Sequence, residues 1–169
     1  MSKLLNMRGI EIRQFRAVSS GPKTLNELFG ENGFSAWVNQ HRHLLVEHSY
    51  EPADLLWHLD EKITWDNGRN IYIYAIRDEV TEDDIAPYEL FEFPGGIFLV
   101  ATADEKDNAD LEETVSCMMD WIKASAVFEY GDFPKSGMCN MPNPDGAFDT
   151  ALGIAQQQIY LPLKFRNRA

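Results

Sequence analysis

The stretch that decides the fold is YELFEFPGGIFLVA, at residues 88–101. Two apolar and aromatic runs flank Pro94-Gly95-Gly96, a pattern typical of strands separated by a turn or of one bent strand with a sharp bulge. The sequence leaves both interpretations open. Residues 110–122 (DLEETVSCMMDWI) predict an amphipathic helix, and residues 158–164 (QIYLPLK) predict a closing strand. Residues 88–166 therefore contain a complete β-α-β-β unit.

The first half follows the same plan more loosely. Residues 9–18 predict a strand, and residues 24–46 predict two helical pieces, the first capped by Thr24 with Glu27. Residues 54–60 and 70–76 predict a strand pair joined by a turn at residues 65–68. We expect one α+β domain over residues 1–169, with two pseudo-symmetric repeats at about 7–77 and 88–166 joined by an exposed acidic connector at 78–87. The repeats would form a mainly antiparallel sheet backed by helices.

Local patterns of the second repeat give finer expectations. Leu111, Val115, Met118 and Ile122 recur at helical spacing and predict the face that packs on the sheet. Asp110 with Glu113 predicts the helix cap. Any strand within residues 138–148 must be short because prolines interrupt it, and the last strand is expected to end at Pro162.

Composition narrows the class of protein. The formal net charge is −12, and 16 of the 27 acidic residues lie between Asp78 and Asp132. This balance argues against direct DNA binding, which requires clustered Lys and Arg. No apolar run approaches the roughly 20 residues of a membrane span, and the N-terminus lacks signal-peptide features, so we expect a cytoplasmic protein with no membrane contact. Cys117 and Cys139 are expected to be buried thiols and not a disulfide.

Aromatic residues are the strongest candidates for a binding site. Alternation along a strand puts Trp57 with Leu59 on one face, and Tyr72 with Tyr74 on one face. These rings predict either core packing or an aromatic-walled pocket for a flat or cationic ligand. His41 and His43 are two residues apart and no cysteine follows at ligand spacing, so neither a metal site nor a cofactor is expected.

The segments at 88–101, 110–122 and 158–164, with FEYGDFP at 128–134, resemble the GyrI-like small-molecule-binding family. This family is also called the AraC effector-binding, or bacterial transcription activator effector-binding, domain. In the first half, WHLD at 57–60 and RNIYIY at 69–74 are similar to its first strand pair. The family includes the drug-binding domains of MerR-type multidrug regulators and a gyrase-inhibitory protein.

The resemblance implies a GyrI-like, or SOUL-like, fold with a central cleft for hydrophobic, often cationic, aromatic compounds. It places Met138 where many members have a buried glutamate, and Gln158 near a second acidic position. A replacement acid could come from Glu89, Glu129 or Asp60, or the ligand need not be a cation. The expected ligand-binding residues, with no catalytic residue among them, are Trp57, Tyr74, Glu89, Phe91, Trp121, Glu129, Met138, Gln158 and Tyr160.

Three functions follow as hypotheses. The first is a stand-alone effector-binding domain that captures hydrophobic, preferably cationic, small molecules, and acts by multidrug sequestration or through a protein partner in transcription regulation. The second is an interaction protein whose acidic surface at 78–132 docks on a basic partner, as a gyrase inhibitor would. The third is a hydrolase of strained toxins that uses Glu89 or Glu129, which the absence of a carboxylate at Met138 disfavours.

Overall fold

The computed structural model describes residues 6–46, 53–59, 68–142 and 146–167. Within them the strands are β1 (Arg8–Ile12), β2 (Phe15–Ser19), β3 (Asp54–His58), β4 (Asn70–Ala75), β5 (Glu89–Phe93), β6 (Gly96–Asp104), β7 (Phe128–Tyr130), β8 (Met138–Asn140) and β9 (Gln156–Phe165). The helices are α1 (Leu25–Phe29), α2 (Phe34–Gln40), α3 (Asn108–Ala124) and α4 (Ala147–Leu152), with a 3-10 turn at Arg42–Leu44. None of these helices has the length and apolar character needed to span a membrane.

The predicted α+β class is confirmed. Strand pairs with a described register are all antiparallel: β2 with β4 and β5, β3 with β4, and β9 with β6, β7 and β8. Helices back these strands, as expected for an antiparallel sheet with one face covered. The turn predicted at residues 65–68 lies almost entirely outside the described residues, as does Asp60.

The chain divides into two compact units that differ from the two sequence repeats. The continuous unit spans Ile12–Gly95, and the discontinuous unit combines Met1–Glu11 with Gly96–Ala169. Strand β5 begins the second repeat but pairs with β2 in the continuous unit. Strand β1 begins the first repeat but lies beside β6. The predicted first strand is thus two strands, and the opening strand of each repeat belongs with the other repeat.

The Pro94-Gly95-Gly96 break is not a hairpin turn, because β5 pairs with β2 whereas β6 pairs with β9. Gly95 has φ +75°, a conformation that side-chain-bearing residues rarely adopt. A Cβ at this position would also lie 2.6 Å from the carbonyl oxygen of Ile12. Glycine is therefore required where the chain leaves the continuous unit.

The core of the continuous unit forms between its strands and its two short helices, which confirms the two predicted helical pieces. Thr24 caps α1 as expected, since its hydroxyl accepts the Glu27 N–H. The connector at 78–87 is not simply exposed: Val80 and Ile85 are buried in this core. The connector therefore belongs to the continuous unit, and its acids are exposed around these two buried side chains.

Helix α3 packs in the discontinuous unit through Leu111, Met118 and Ile122, as predicted, but not through Val115. Its N-cap is Asp107, whose side chain accepts the Asp110 N–H, so the cap predicted at Asp110 is wrong. Asp110 is instead buried and accepts the backbone N–H of Asp104 at 2.9 Å. The buried face includes Thr114 and Met118, whereas Val115 is 36% exposed. Cys117, expected to be buried, is exposed, Cys139 is half-buried, and the two do not form a disulfide.

Strand β9 continues through Pro162 instead of ending there. Proline lacks an N–H, so it fits only where no ladder bond is needed on that side. Strand β8 pairs with Gln158–Tyr160 and β7 with Leu163–Phe165, which leaves Pro162 opposite the gap between them. Its carbonyl still accepts the Gly131 N–H at 2.8 Å. The short strand β8 agrees with the prediction for residues 138–148, but α4 was not predicted.

Candidate functional site

The expected ligand-binding residues fall into both units. Trp57, Tyr74, Glu89 and Phe91 lie in the continuous unit; Trp121, Glu129, Met138, Gln158 and Tyr160 lie in the discontinuous unit. Each unit has a helix-side face, packed against its helices, and a helix-distal face on the other side of its strands. The register of paired strands shows which residues share a face.

The helix-distal face of the continuous unit carries an aromatic pair. Trp57 lies opposite Ile71 on β4, and Phe91 lies opposite Ala17 on β2. Their ring centroids are 5.8 Å apart at an interplanar angle of 50°, within the range of favourable aromatic contacts. Trp57 is only 3% exposed. Glu89, two residues before Phe91 on β5, is exposed on the same face.

Tyr74, another of the expected residues, does not lie on the face of this pair. It lies opposite Asp54 on β3, on the helix-side face, and Tyr72 shares that face as predicted. The two tyrosine rings stack at 4.9 Å, and both contact Phe34 of α2. Tyr74 therefore belongs to the core between strands and helices.

A hydrogen-bonded chain runs through this core. The Tyr72 hydroxyl donates to Asp54 Oδ2 at 2.7 Å, so the Tyr74 hydroxyl, 3.0 Å away, donates to Tyr72. Burial raises the pKa of Asp54, and the Tyr72 hydrogen bond and the nearby Arg42 only partly oppose that rise. Burial also raises the pKa of Tyr72, with Asp54 adding to the effect. This half-buried carboxylate was not predicted.

The helix-distal face of the discontinuous unit carries three of the expected residues in two cross-strand rows. In the first row, Met138 on β8 lies opposite Tyr160 on β9, which lies opposite Val100 on β6. All three are buried, and their side chains are largely apolar. In the second row, Gln158 lies between Asn140 on β8 and Thr102 on β6.

The second row continues onto β1 through Arg8. Arg8 Nη2 donates to Gln158 Oε1 at 2.9 Å, and the Tyr160 hydroxyl donates to Asn140 Oδ1 at 3.2 Å. We call Arg8, Thr102, Gln158 and Asn140 the polar strip. Sequence reasoning did not identify Arg8 because nothing in the sequence shows that β1 lies beside β6, far along the chain.

Two of the expected residues lie away from both groups. Trp121 is on α3, on the helix side, where it is 39% exposed and stacks on Phe128 at 6.3 Å. Glu129 is on β7, opposite Lys164 near the end of β9. Its carboxylate lies 3.9 Å from the Lys164 ammonium and 3.7 Å from the Arg166 guanidinium. Its charge is therefore already balanced. No group of three or more potential metal ligands occurs among the residues that the structure describes.

Comparison with known proteins identifies the fold. No protein-family model and no curated protein sequence matches the chain. Among solved structures, the EcmrR C-terminal domain superposes with a TM-score of 0.66 at 11% identity, covering 95% of this chain and 98% of that one. SAV2435 bound to tetraphenylphosphonium superposes with a TM-score of 0.54 at 13% identity, covering 94% of both chains.

EcmrR in a complex with DNA superposes with a TM-score of 0.64 at 10% identity, and the match covers 95% of this chain. This chain spans only 58% of the length of the EcmrR chain in that complex. At these identities the likeness shows that the chain has the fold of the EcmrR C-terminal domain and of SAV2435.

Proposed function

We propose that this protein binds hydrophobic aromatic small molecules on its helix-distal faces, and that cationic compounds are the preferred class. The observation that carries this proposal is the Trp57–Phe91 pair with Glu89 on the same face. Aromatic rings attract cations through their electron-rich faces, and a nearby carboxylate adds to that attraction. Glu89 is then the acid that attracts a cation to this face.

The chemistry of the two faces supports binding. An antiparallel sheet covered by helices on one side usually presents polar side chains to water on the other. Here the helix-distal residues Trp57, Met138 and Tyr160 are buried. Methionine is flexible and polarizable, so Met138 provides an adaptable apolar contact for ligands of different shape.

The resemblance to the GyrI-like family and the fold shared with SAV2435, whose solved structure holds tetraphenylphosphonium, favour the same proposal. Because the sequence argues against direct DNA contact, we propose that the protein acts by sequestering its ligand or by signalling to a protein partner.

Isothermal titration calorimetry with tetraphenylphosphonium and with neutral triphenylphosphine oxide tests the proposal. We expect tetraphenylphosphonium to bind with Kd below ~1 mM, which corresponds to about 4 kcal/mol. Trp57→Ala should weaken binding of both compounds by about 10-fold, since it removes an aromatic contact and its buried area. Trp121→Ala, which changes an exposed ring on the helix side, serves as the matched control and should leave both affinities unchanged.

The role of Glu89 is tested in the same way. Glu89→Gln should lower the affinity for tetraphenylphosphonium by roughly 3- to 10-fold and leave triphenylphosphine oxide unaffected, because only the cation interacts with the charge. Equal losses for the two compounds would rule out Glu89 as the partner of a cation. If neither tetraphenylphosphonium nor triphenylphosphine oxide binds, the proposed function is wrong.

A further inference from the structure

We infer that the polar strip of the discontinuous unit binds the carboxylate group of an amphipathic small molecule. The inference rests on the proposed function, that the chain binds small molecules, and adds a second subsite of different chemistry. Its basis is the set of hydrogen-bond donors that Arg8, Thr102 and Gln158 bring to one face beside an apolar row.

Arg8 carries a charge that no described carboxylate balances. Its guanidinium makes two hydrogen bonds, from Nη1 to the Asn6 carbonyl at 3.0 Å and from Nη2 to Gln158 Oε1 at 2.9 Å. Both acceptors are neutral oxygens. A guanidinium has five N–H donors, so most of them remain for a ligand. The side chain is only half-buried, which leaves it within reach.

Gln158 is oriented by Arg8. Arginine can only donate, so the amide oxygen of Gln158 must face it and the amide nitrogen must point elsewhere. The Tyr160 hydroxyl oxygen lies 3.4 Å from the same Gln158 oxygen, but its single proton is donated to the nearer Asn140 Oδ1. The amide N–H₂ of Gln158 is therefore available to a hydrogen-bond acceptor. The adjacent Thr102 hydroxyl, opposite Gln158 in register, can donate to the same acceptor.

The neighbouring row indicates the chemical character of the part of the ligand that lies beyond its carboxylate. Val100, Tyr160 and Met138 lie one cross-strand step from the polar strip and are buried and largely apolar. The planar fork of one arginine matches the two oxygens of a carboxylate. A net charge of −12 repels multiply charged anions at long range, which favours a single negative charge. An aromatic or aliphatic monocarboxylate fits both rows.

The two repeats differ in charge at equivalent positions. Strands β1 and β5 each have five residues, and each is followed by two residues and then by the next strand. This match aligns Ile12 with Phe93, both buried, and aligns Arg8 with Glu89. One repeat thus has a cation where the other has an anion, so the two faces select groups of opposite charge.

Calorimetric titration with 2-naphthoate, 2-naphthamide and 2-naphthylmethylammonium tests the inference, because these probes share one ring system and differ in charge. We expect the full chain to bind naphthoate about 10-fold or more tightly than naphthamide, the difference a charge-assisted hydrogen bond supplies. Arg8→Gln should remove this preference by weakening naphthoate binding much more than naphthamide binding, because only naphthoate loses a charge-assisted hydrogen bond. Lys106→Gln, an exposed position with the same loss of charge, is the matched control.

Gln158→Glu is a second variant in case Arg8→Gln fails to fold. It keeps Arg8 paired, now with a carboxylate, and should reduce naphthoate binding by about 10-fold or more through competition for the guanidinium. If naphthoate binds no better than naphthamide, or if both variants keep the preference, the inference is overturned while binding of tetraphenylphosphonium still supports the proposed function. If none of the naphthyl probes and neither phosphorus compound binds, the proposed function fails as well.

Discussion

At the scale of single residues, Asp54 is an ionisable group whose pKa is shifted by its immediate surroundings. It lies at the end of a hydrogen-bonded chain from Tyr74 through Tyr72, with Arg42 nearby. Burial disfavours its charged form and raises its pKa above the ordinary value of 3.8. A group that binds its proton more tightly in the folded state makes folding more favourable as the pH falls.

Asp54→Asn tests this linkage. We expect wild type to become more stable relative to Asp54→Asn as the pH falls. The difference in free energy of unfolding, wild type minus variant, should increase as the pH passes through the folded-state pKa of Asp54. It should level off below 3.8, the ordinary pKa of this group. The reason is that wild type alone relieves a buried charge by taking up a proton. Urea denaturation at several pH values between about 7 and 3.5 measures the difference.

Asp84→Asn is the matched control with the opposite sign. Hydrogen bonds from Thr81 lower the pKa of this exposed carboxylate, so its stabilising contribution is present above 3.8 and lost as the pH falls through the lower folded-state value. The same trend with pH for both pairs would contradict the assignment to Asp54.

Residue-level features that depend on a single strand were predictable. Alternation alone placed Tyr72 with Tyr74, and the structure confirms it. Which residues on different strands meet was not predictable, because it depends on strand order. Trp57 meets Phe91 across β4 and β2, and Arg8 meets Gln158 across β6, contacts that local sequence does not encode.

At the scale of elements, α3 shows how a helix boundary controls a packing face. A helix turns 100° per residue, so a small change in the assumed face replaces one set of buried residues by its neighbours. Of the apolar positions predicted to pack, only Val115 is exposed; Asp110 and Thr114 are buried in addition, and the Asp110 carboxylate accepts the Asp104 backbone N–H. A polar residue with a buried partner was invisible to a search for apolar periodicity.

Paired truncations on α3 test this orientation. Met118→Ala should lower the free energy of unfolding by about 2–5 kcal/mol, the usual cost of removing a fully buried side chain of this size. Val115→Ala should change it by no more than about 0.5 kcal/mol, since the side chain faces solvent and alanine favours helix. Thermal or urea unfolding compares the two, and similar losses would restore the face predicted from sequence.

Strand β9 illustrates the same limit. Proline normally marks the end of a strand, and the prediction of an end at Pro162 followed that rule. The strand continues because two short strands, β7 and β8, share one side of it and leave a gap at the proline. Only knowledge of both partners could have predicted this.

At the scale of the whole molecule, the fold class and most of the helices and strands were predictable from hydrophobic patterns, whereas the grouping of strands into units was not. The sequence predicts a boundary between the repeats at the acidic connector, but the boundaries of the compact units fall at Ile12 and Gly95. Val80 and Ile85 are buried in the continuous unit, and β5 beyond them pairs with β2. The charge of the connector gave no sign of these contacts.

Two fragments of similar length test this grouping. Residues 12–95 keep β2 paired with β5 and keep Val80 and Ile85 in the core, so this fragment should show a cooperative urea transition by circular dichroism. Residues 7–77 follow the sequence repeat but lack both features, and should be less helical and unfold without a clear transition. If 7–77 proved as cooperative as 12–95, the sequence repeats would be the folding units.

The exchanged strands β1 and β5 also constrain how such a protein can evolve. Two tandem copies that each lend their opening strand to the other are arranged like a strand-swapped dimer joined into one chain. Once joined in this way, neither copy can be lost, reordered or inherited alone without leaving a sheet edge bare in what remains. The opening strands of the two halves already differ in charge, since Arg8 of one aligns with Glu89 of the other.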